Sequence, residues 1–159
     1  MRRNRILLAL AVAVVSSSLA APVASQFRRP PRPPQLVGMD ALRAEFIAAS
    51  GSDTVMFGGS SVILGVPAKT ILAAQARWLR RHPEIVVSIE GHAEAADTRD
   101  HALAIGARRA EEVRDFLILL GVPAAQLTAT SWGKERVAIS GNNPTAFAAN
   151  RRVQTVLVR

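Results

Sequence analysis

About half of the 159 residues are apolar, so the chain is long enough for one domain with a sizeable core. The formal charge of +8 does not describe a basic folded surface, because the first 34 residues hold six arginines and no acid, which leaves residues 35–159 at +2. The chain has no tyrosine and no basic patch interleaved with aromatic residues, which argues against a nucleic-acid partner, and the absence of cysteine excludes disulfides, catalytic thiols and thiolate metal sites.

The N-terminus has the pattern of an export signal. Three arginines among residues 1–5 precede an apolar run at residues 6–15 and small residues at 16–21, which predicts a signal peptide over residues 1–25. An uncleaved membrane anchor is the alternative, although the run is shorter than the ~20 residues that span a bilayer. No cysteine is available to carry a lipid, so we expect no lipid anchor. The proline- and arginine-rich residues 26–38 predict an extended linker.

The remaining sequence alternates helices and strands. Residues 39–49 predict a short amphipathic helix, and we place residues 39–52 before a domain of residues 53–159. A strand is predicted at 53–57, between glycines. A helix begins at Pro67 and ends at His82-Pro83. Residues 85–90 alternate apolar and polar side chains, as a strand with one apolar face does.

The second long helix is the best defined element. Asp97 or Thr98 caps its start and Gly121 ends it. Gly106 within it costs ~1 kcal/mol relative to alanine, so we expect a close approach of the helix to the sheet at that position. Residues 126–132 and 152–159 predict two more strands, with a short segment at 144–149 between them. The expected fold class is α/β, an α+β sandwich with helices packed on a sheet.

Residues 90–113 read EGHAEAADTRDHALAIGARRAEEV, and residues 150–153 read NRRV. The loop acid Glu94 and the helix residue Arg109 can together hold a ligand with an ammonium and a carboxylate, because a guanidinium can bond both carboxylate oxygens. These segments resemble the OmpA-like C-terminal domain family, as in OmpA, the peptidoglycan-associated lipoproteins and the flagellar stator proteins of MotB type. The positions that match its pattern are Gly91, His92, Gly106, Arg108, Arg109 and Ala110. Glu94 stands in place of the family's aspartate, and Ala102 in place of its asparagine.

The resemblance implies a βαβαββ-type domain, with a mixed four-stranded sheet and two long helices packed on one face. It implies peptidoglycan as the ligand, held through the diaminopimelate of the stem peptide, with Glu94 for the ammonium and Arg109 for the carboxylate. Asn150, Arg151 and Arg152 match the terminal N-R-R that borders the same pocket. The last two face opposite ways if they lie in a strand.

His92 completes the expected binding set, although a buried hydrogen bond within the loop is its alternative role. We therefore expect a non-catalytic module of the periplasm, associated with the cell wall and the outer membrane, which anchors the envelope to the wall. Outer-membrane or other envelope proteins are the further partners considered.

Other interpretations remain open. A degenerate domain that has lost the ligand and acts as an envelope protein-interaction module is the main alternative, since Glu94 and Ala102 depart from the family pattern. Arg109 could instead pair with Glu112 along an exposed helix face. The histidines lack H-E-x-x-H spacing and no G-x-S-x-G motif is present, so we expect no catalytic residue, no metal and no cofactor.

Overall fold

A computed structural model describes residues 38–158, so the predicted signal peptide and nearly all of the predicted linker lie outside the described residues. The helices of this part of the chain are α1 (Met39–Ser50), α2 (Val66–Leu79), α3 (Arg99–Leu119) and α4 (Pro144–Asn150). The strands are β1 (Thr54–Met56), β2 (Val87–His92), β3 (Leu127–Gly133) and β4 (Arg152–Leu157). No helix within residues 38–158 is both long and apolar enough to cross a membrane.

The four strands form one mixed sheet in the order β1-β4-β2-β3. Strands β2 and β3 run parallel, whereas β4 runs antiparallel to both β1 and β2. Every second residue of β2 and β4 is buried in a core shared with α2 and α3, so the two long helices cover one face. The predicted fold class and the mixed four-stranded sheet are confirmed.

Helix α1 belongs to the same core. The edge of the Phe46 ring packs against Trp78 of α2, with the ring centroids 5.2 Å apart. The fully buried Gln75 joins three parts of the chain, because its Nε2 donates to the Ser52 carbonyl and its Oε1 accepts from the Thr155 hydroxyl, both at 2.9 Å. This buried amide therefore has partners on both its nitrogen and its oxygen.

The structure shifts two predicted boundaries, the start of β2 and the end of α2, and it decides between the two residues predicted to cap α3. Strand β2 lies two residues later than residues 85–90, because the Ile85 amide closes a turn to the His82 carbonyl and pairing begins only at Val87. Helix α2 ends at Leu79 instead of His82, because the amides of Arg81 and His82 bond carbonyls three residues back and not four. The cap of α3 is Thr98, whose hydroxyl accepts from the third following amide at 3.3 Å.

Helix α3 approaches β2 most closely where Gly106 meets Gly91. A Cβ on Gly91 would overlap the carbonyl oxygen of Gly106, and a Cβ on Gly106 would overlap the hydroxyl of Ser131. That hydroxyl donates to the Leu103 carbonyl at 2.8 Å, which fixes the helix against β3. The close approach expected from Gly106 is present, and it sets the height of α3 above the end of β2.

Replacing Gly91 by alanine should therefore destabilise the domain by about 3 kcal/mol, since the new methyl group meets backbone that cannot move aside. Gly58→Ala is the matched control, because Gly58 is exposed and a Cβ there meets no heavy atom within 4 Å. Urea unfolding of both variants checks this. Equal stability of the two variants would contradict the close-approach explanation.

Candidate functional site

Arg109 is the central buried charge of the structure and is 1% exposed. Its guanidinium donates to three backbone carbonyls: Nε to Ser61 at 3.0 Å, Nη1 to His92 at 3.2 Å and Nη2 to Gly59 at 2.5 Å. The guanidinium carbon lies 5.3 Å from the centroid of the Phe57 ring, within reach of a cation–π contact. Arg109 thus ties α3 to the end of β2 and to the loop after β1.

This geometry excludes the simpler role considered for Arg109, because a buried guanidinium bound to carbonyls does not form a surface pair with Glu112. Arginine has five N–H groups, so after three bonds one N–H remains on Nη1 and one on Nη2. Burial and the nearby Arg151 lower the pKa of Arg109, whereas Glu94 and Asp97 raise it. Arg109 binds the carbonyl of His92, two residues before Glu94, which places its charge beside that of the loop acid.

Glu94 and Arg151 form the accessible part of the site. The Nη1 of Arg151 donates to Oε2 of Glu94 at 2.6 Å, and each side chain is 20% exposed. Glu94 lies in the loop after β2, and Arg151 lies between α4 and β4. The carboxylate expected to hold a ligand's ammonium therefore already binds a cation of the chain, which an incoming ammonium has to displace.

Ala102 stands where the family pattern has asparagine. It is fully buried in a small apolar cluster with Ala93 and Ile105, against which the partly buried Val62 packs. A methyl side chain in this position has no amide that could hold a ligand, so Ala102 contributes packing beneath α3.

Asn150 shapes the loop after β3. Its Oδ1 accepts from the amides of Ala138 and Ile139 at 2.7 and 3.2 Å, and its Nδ2 donates to the Ile139 carbonyl at 2.8 Å. The residue is fully buried. Its amide is thus engaged with the backbone, which favours a supporting role over direct contact with a ligand.

The six predicted site residues do not form one cluster. Glu94, Arg109 and Arg151 gather at the end of β2, and Asn150 supports the neighbouring loop. His92 and Arg152 project from the other face of the sheet, because their neighbours Gly91 and Val153 face α3 and the core. Arg152 is thereby separated from Arg151, which precedes β4 and pairs with Glu94, so only one of the two arginines lies in the strand.

Two parts of the site carried little signal in the sequence. One is the loop of residues 58–61, whose backbone carbonyls hold Arg109 and whose only mark is a pair of glycines. The other is Lys134, whose Nζ donates to the Asp97 carbonyl at 2.6 Å and joins two loops. Within the described residues no group of three or more histidine or acidic side chains is placed to hold a metal ion.

The fold and the acid–arginine cluster define a small α/β domain with a charged cluster at one end of its sheet. Residues 56–151 match the OmpA family, and the chain belongs to that family. It is 40% identical over 105 residues to the peptidoglycan-associated lipoprotein of Agrobacterium fabrum, a match that covers 66% of this chain and 59% of that protein. The corresponding lipoprotein of Pseudomonas aeruginosa is 35% identical over 116 residues, which cover 73% of this chain and 68% of that protein.

Two solved structures have the same fold. The crystal structure of the peptidoglycan-associated lipoprotein from Burkholderia pseudomallei has a TM-score of 0.66 at 34% identity, over 68% of this chain and 92% of that chain. The C-terminal domain of Helicobacter pylori MotB has a TM-score of 0.63 at 19% identity, over 67% of this chain and 84% of that chain. This chain spans about six tenths of the length of the Agrobacterium and Brucella relatives, and it has no cysteine.

Arg109→Lys should destabilise the domain by about 3 kcal/mol, because one ammonium cannot reach the three carbonyls that the guanidinium holds. Residues 58–61 should also exchange their amide hydrogens faster. Arg108→Lys is the matched control, since Arg108 is the exposed neighbour on the same helix. Urea unfolding and hydrogen exchange measure both effects, and an Arg109→Lys variant as stable as Arg108→Lys would contradict the assignment.

His92 should make stability depend on pH. Burial, followed by the charge of Arg152, lowers the pKa of His92 from 6.5 to about 4. The folded state therefore favours the neutral ring, so stability that is present above pH ~6.5 is lost as the pH falls towards 4. The loss attributable to this ring amounts to about 3 kcal/mol.

The difference between wild type and His92→Gln, measured by urea unfolding at pH 7 and pH 4, isolates that loss. The exposed His101 provides the control variant His101→Gln. If lowering the pH from 7 to 4 reduced the stability of wild type and His92→Gln equally, the ring of His92 would not contribute.

Proposed function

We propose that this domain is a non-catalytic module that binds peptidoglycan and anchors the cell envelope to the wall from the periplasmic side. Membership of the OmpA family and similarity to proteins named peptidoglycan-associated lipoprotein support this function. The observation that carries it is the meeting of one carboxylate and two guanidiniums, from Glu94, Arg109 and Arg151, at the end of β2.

The ligand group proposed is the diaminopimelate of the stem peptide, which carries an ammonium and a carboxylate on one side chain. The ammonium takes the place of Arg151 on Glu94, so one cation replaces another. The ligand's carboxylate then pairs with the released Arg151 and with the two N–H groups that Arg109 retains. The ligand's side chain adds one positive and one negative charge, so the exchange leaves the net charge of the cluster unchanged, and each ionic group still has a partner.

This exchange predicts weak affinity at a single site, because the ligand gains one ion pair at the expense of another. Retention on the wall then depends on repeated rebinding to a polymer that offers many identical stem peptides. Anchoring needs retention of this kind and does not need slow dissociation from one site.

One observation favours a second candidate, the degenerate domain that serves as an envelope protein-interaction module. The carboxylate of Glu94 is already paired with Arg151. Arg109 is only 1% exposed, so the charges of the cluster have partners within the chain and do not need a ligand. In that case an outer-membrane or other envelope protein is the partner, and the charged cluster only stabilises the loops.

Glu94→Gln should reduce cosedimentation with diaminopimelate-type wall at least tenfold, because an amide keeps the shape of the carboxylate but does not attract an ammonium. It is a cleaner test than charge reversal at Arg109, which would also remove three bonds of the fold. Glu112→Gln is the matched control, an exposed acid on α3 outside the site.

The same sedimentation with wall whose stem peptide carries lysine tests the proposed ligand group. Lysine keeps the ammonium but lacks the side-chain carboxylate, so retention should fall with the unmutated protein as well. Failure of the wild type to sediment with either wall favours the interaction module. Equal retention of Glu94→Gln and wild type would show that the wall binds elsewhere.

A further inference from the structure

The second group of predicted site residues lies side by side across three strands. Gly91 pairs with Val153, so the next residue of β2, His92, stands beside Arg152 of β4. On its other side β2 shifts register at Gly91/His92, where Gly91 pairs with Ser131 and His92 with Gly133. Trp132, the residue between those two partners, therefore stands next to His92.

All three side chains face away from the helices. Gly91 abuts Gly106 of α3, the Ser131 hydroxyl bonds the Leu103 carbonyl, and Val153 is part of the main core. Because side chains alternate along a strand, His92, Trp132 and Arg152 project from the opposite face. This group is separated by the sheet from the core beneath α3.

The segment after β3 covers this group. The guanidinium carbon of Arg136 lies 3.4 Å from the centroid of the Trp132 ring. The carbonyl of Arg136 accepts from Nη2 of Arg152 at 3.1 Å and also lies near the ring of His92. Under this cover His92 is 2% exposed.

Several buried nitrogens of this group lack a hydrogen-bond partner. They are Nε1 of Trp132, Nη1 of Arg152 and the ring nitrogens of His92, which have the backbone of Arg136 nearby but make no hydrogen bond of good geometry to it. A buried donor left without a partner costs about 1–3 kcal/mol, so several in one place indicate an acceptor that occupies the site in the working protein. The group includes the cations of Arg136 and Arg152, and Glu90 is the acid that acts on Arg152. The missing acceptor should therefore be negative.

We propose that His92, Trp132 and Arg152, covered by Arg136, form a subsite for one small oxyanion, either a carboxylate or a phosphate. The oxyanion accepts hydrogen bonds from Nε1 of Trp132, Nη1 of Arg152 and one ring nitrogen of His92. Arg136 adds a second positive charge and lifts away from Trp132 to admit the ion. This subsite does not depend on Glu94 or Arg151 and is independent of the proposed wall site.

The experiment is an NMR titration of the nitrogen-15-labelled protein with sodium phosphate or sodium acetate, at ionic strength held constant with sodium chloride. The chain has two tryptophans, and the indole of Trp78 already donates to Glu45 at 3.0 Å, which makes it an internal control. The indole N–H signal of Trp132 should shift and saturate, together with the ring nitrogens of His92, while that of Trp78 stays in place.

Two variants test the assignment. Trp132→Phe keeps a ring beneath Arg136 but removes one N–H, and Arg152→Gln removes one charge; followed through the His92 signals, each should raise the half-saturating anion concentration at least fivefold. Arg108→Gln, an exposed charge outside the group, should leave it unchanged.

Saturation with only one of the two anions identifies that chemistry as the ligand class. No saturable shift with either anion, or equal shifts of both indoles, overturns the proposal and assigns the unpartnered nitrogens to water. A half-saturating concentration that Trp132→Phe leaves unchanged would also overturn it.

Discussion

The end of the sheet depends on one buried guanidinium. Removing a charge from water costs several kcal/mol unless hydrogen bonds replace those to solvent, and Arg109 is 1% exposed. Three carbonyls replace the lost water, two of them from the loop after β1 and one from the end of β2. The glycine contact between α3 and β2 brings Arg109 within reach of these carbonyls. Loop, strand end and helix are therefore held in one arrangement by a single side chain.

That arrangement decides which charges can meet a ligand. Arg109 is largely used in building the site, whereas Glu94 and Arg151 remain partly exposed and bound to each other. The binding that we propose is an exchange of ion pairs, which suits a module that must hold a polymer yet release any one repeat. Glu94 is one methylene longer than the aspartate of the family pattern. Its carboxylate contacts Arg151 at 2.6 Å.

The sequence predicted the elements well because their signals are local. Alternation in β2, the glycine after α3 and the apolar stripe of α2 depend on neighbours within a few residues. The valines 153, 156 and 158 marked β4 as a strand, but the face that it buries is that of Val153, Thr155 and Leu157. The boundaries were less exact: β2 begins two residues late, since a turn at His82 and Ile85 competes with the strand pattern, and α2 ends at Leu79 instead of His82. The four-stranded mixed sheet followed from the family resemblance and not from periodicity.

The partners within the site could not be predicted from local pattern. Arg151 and Glu94 are 57 positions apart, and Arg109 and Gly59 are 50 apart, so each contact depends on how separate loops fold back. Arg109 was expected to face a ligand carboxylate, whereas three of its five N–H groups bond the chain's own backbone. His92 and Arg152 match the family pattern in sequence, yet strand alternation places them on the far face of the sheet.

The central claim is that the ligand displaces Arg151 from Glu94, and the side-chain signals of Arg151 report this most directly. We would titrate a soluble muropeptide containing diaminopimelate into nitrogen-15-labelled protein and follow the Nε–H signals of Arg151 and Arg109. The account predicts a large saturable shift for Arg151 and a smaller one for Arg109, which keeps its carbonyl partners. An Arg151 signal that stays in place while the muropeptide binds, or no binding at all, would contradict it.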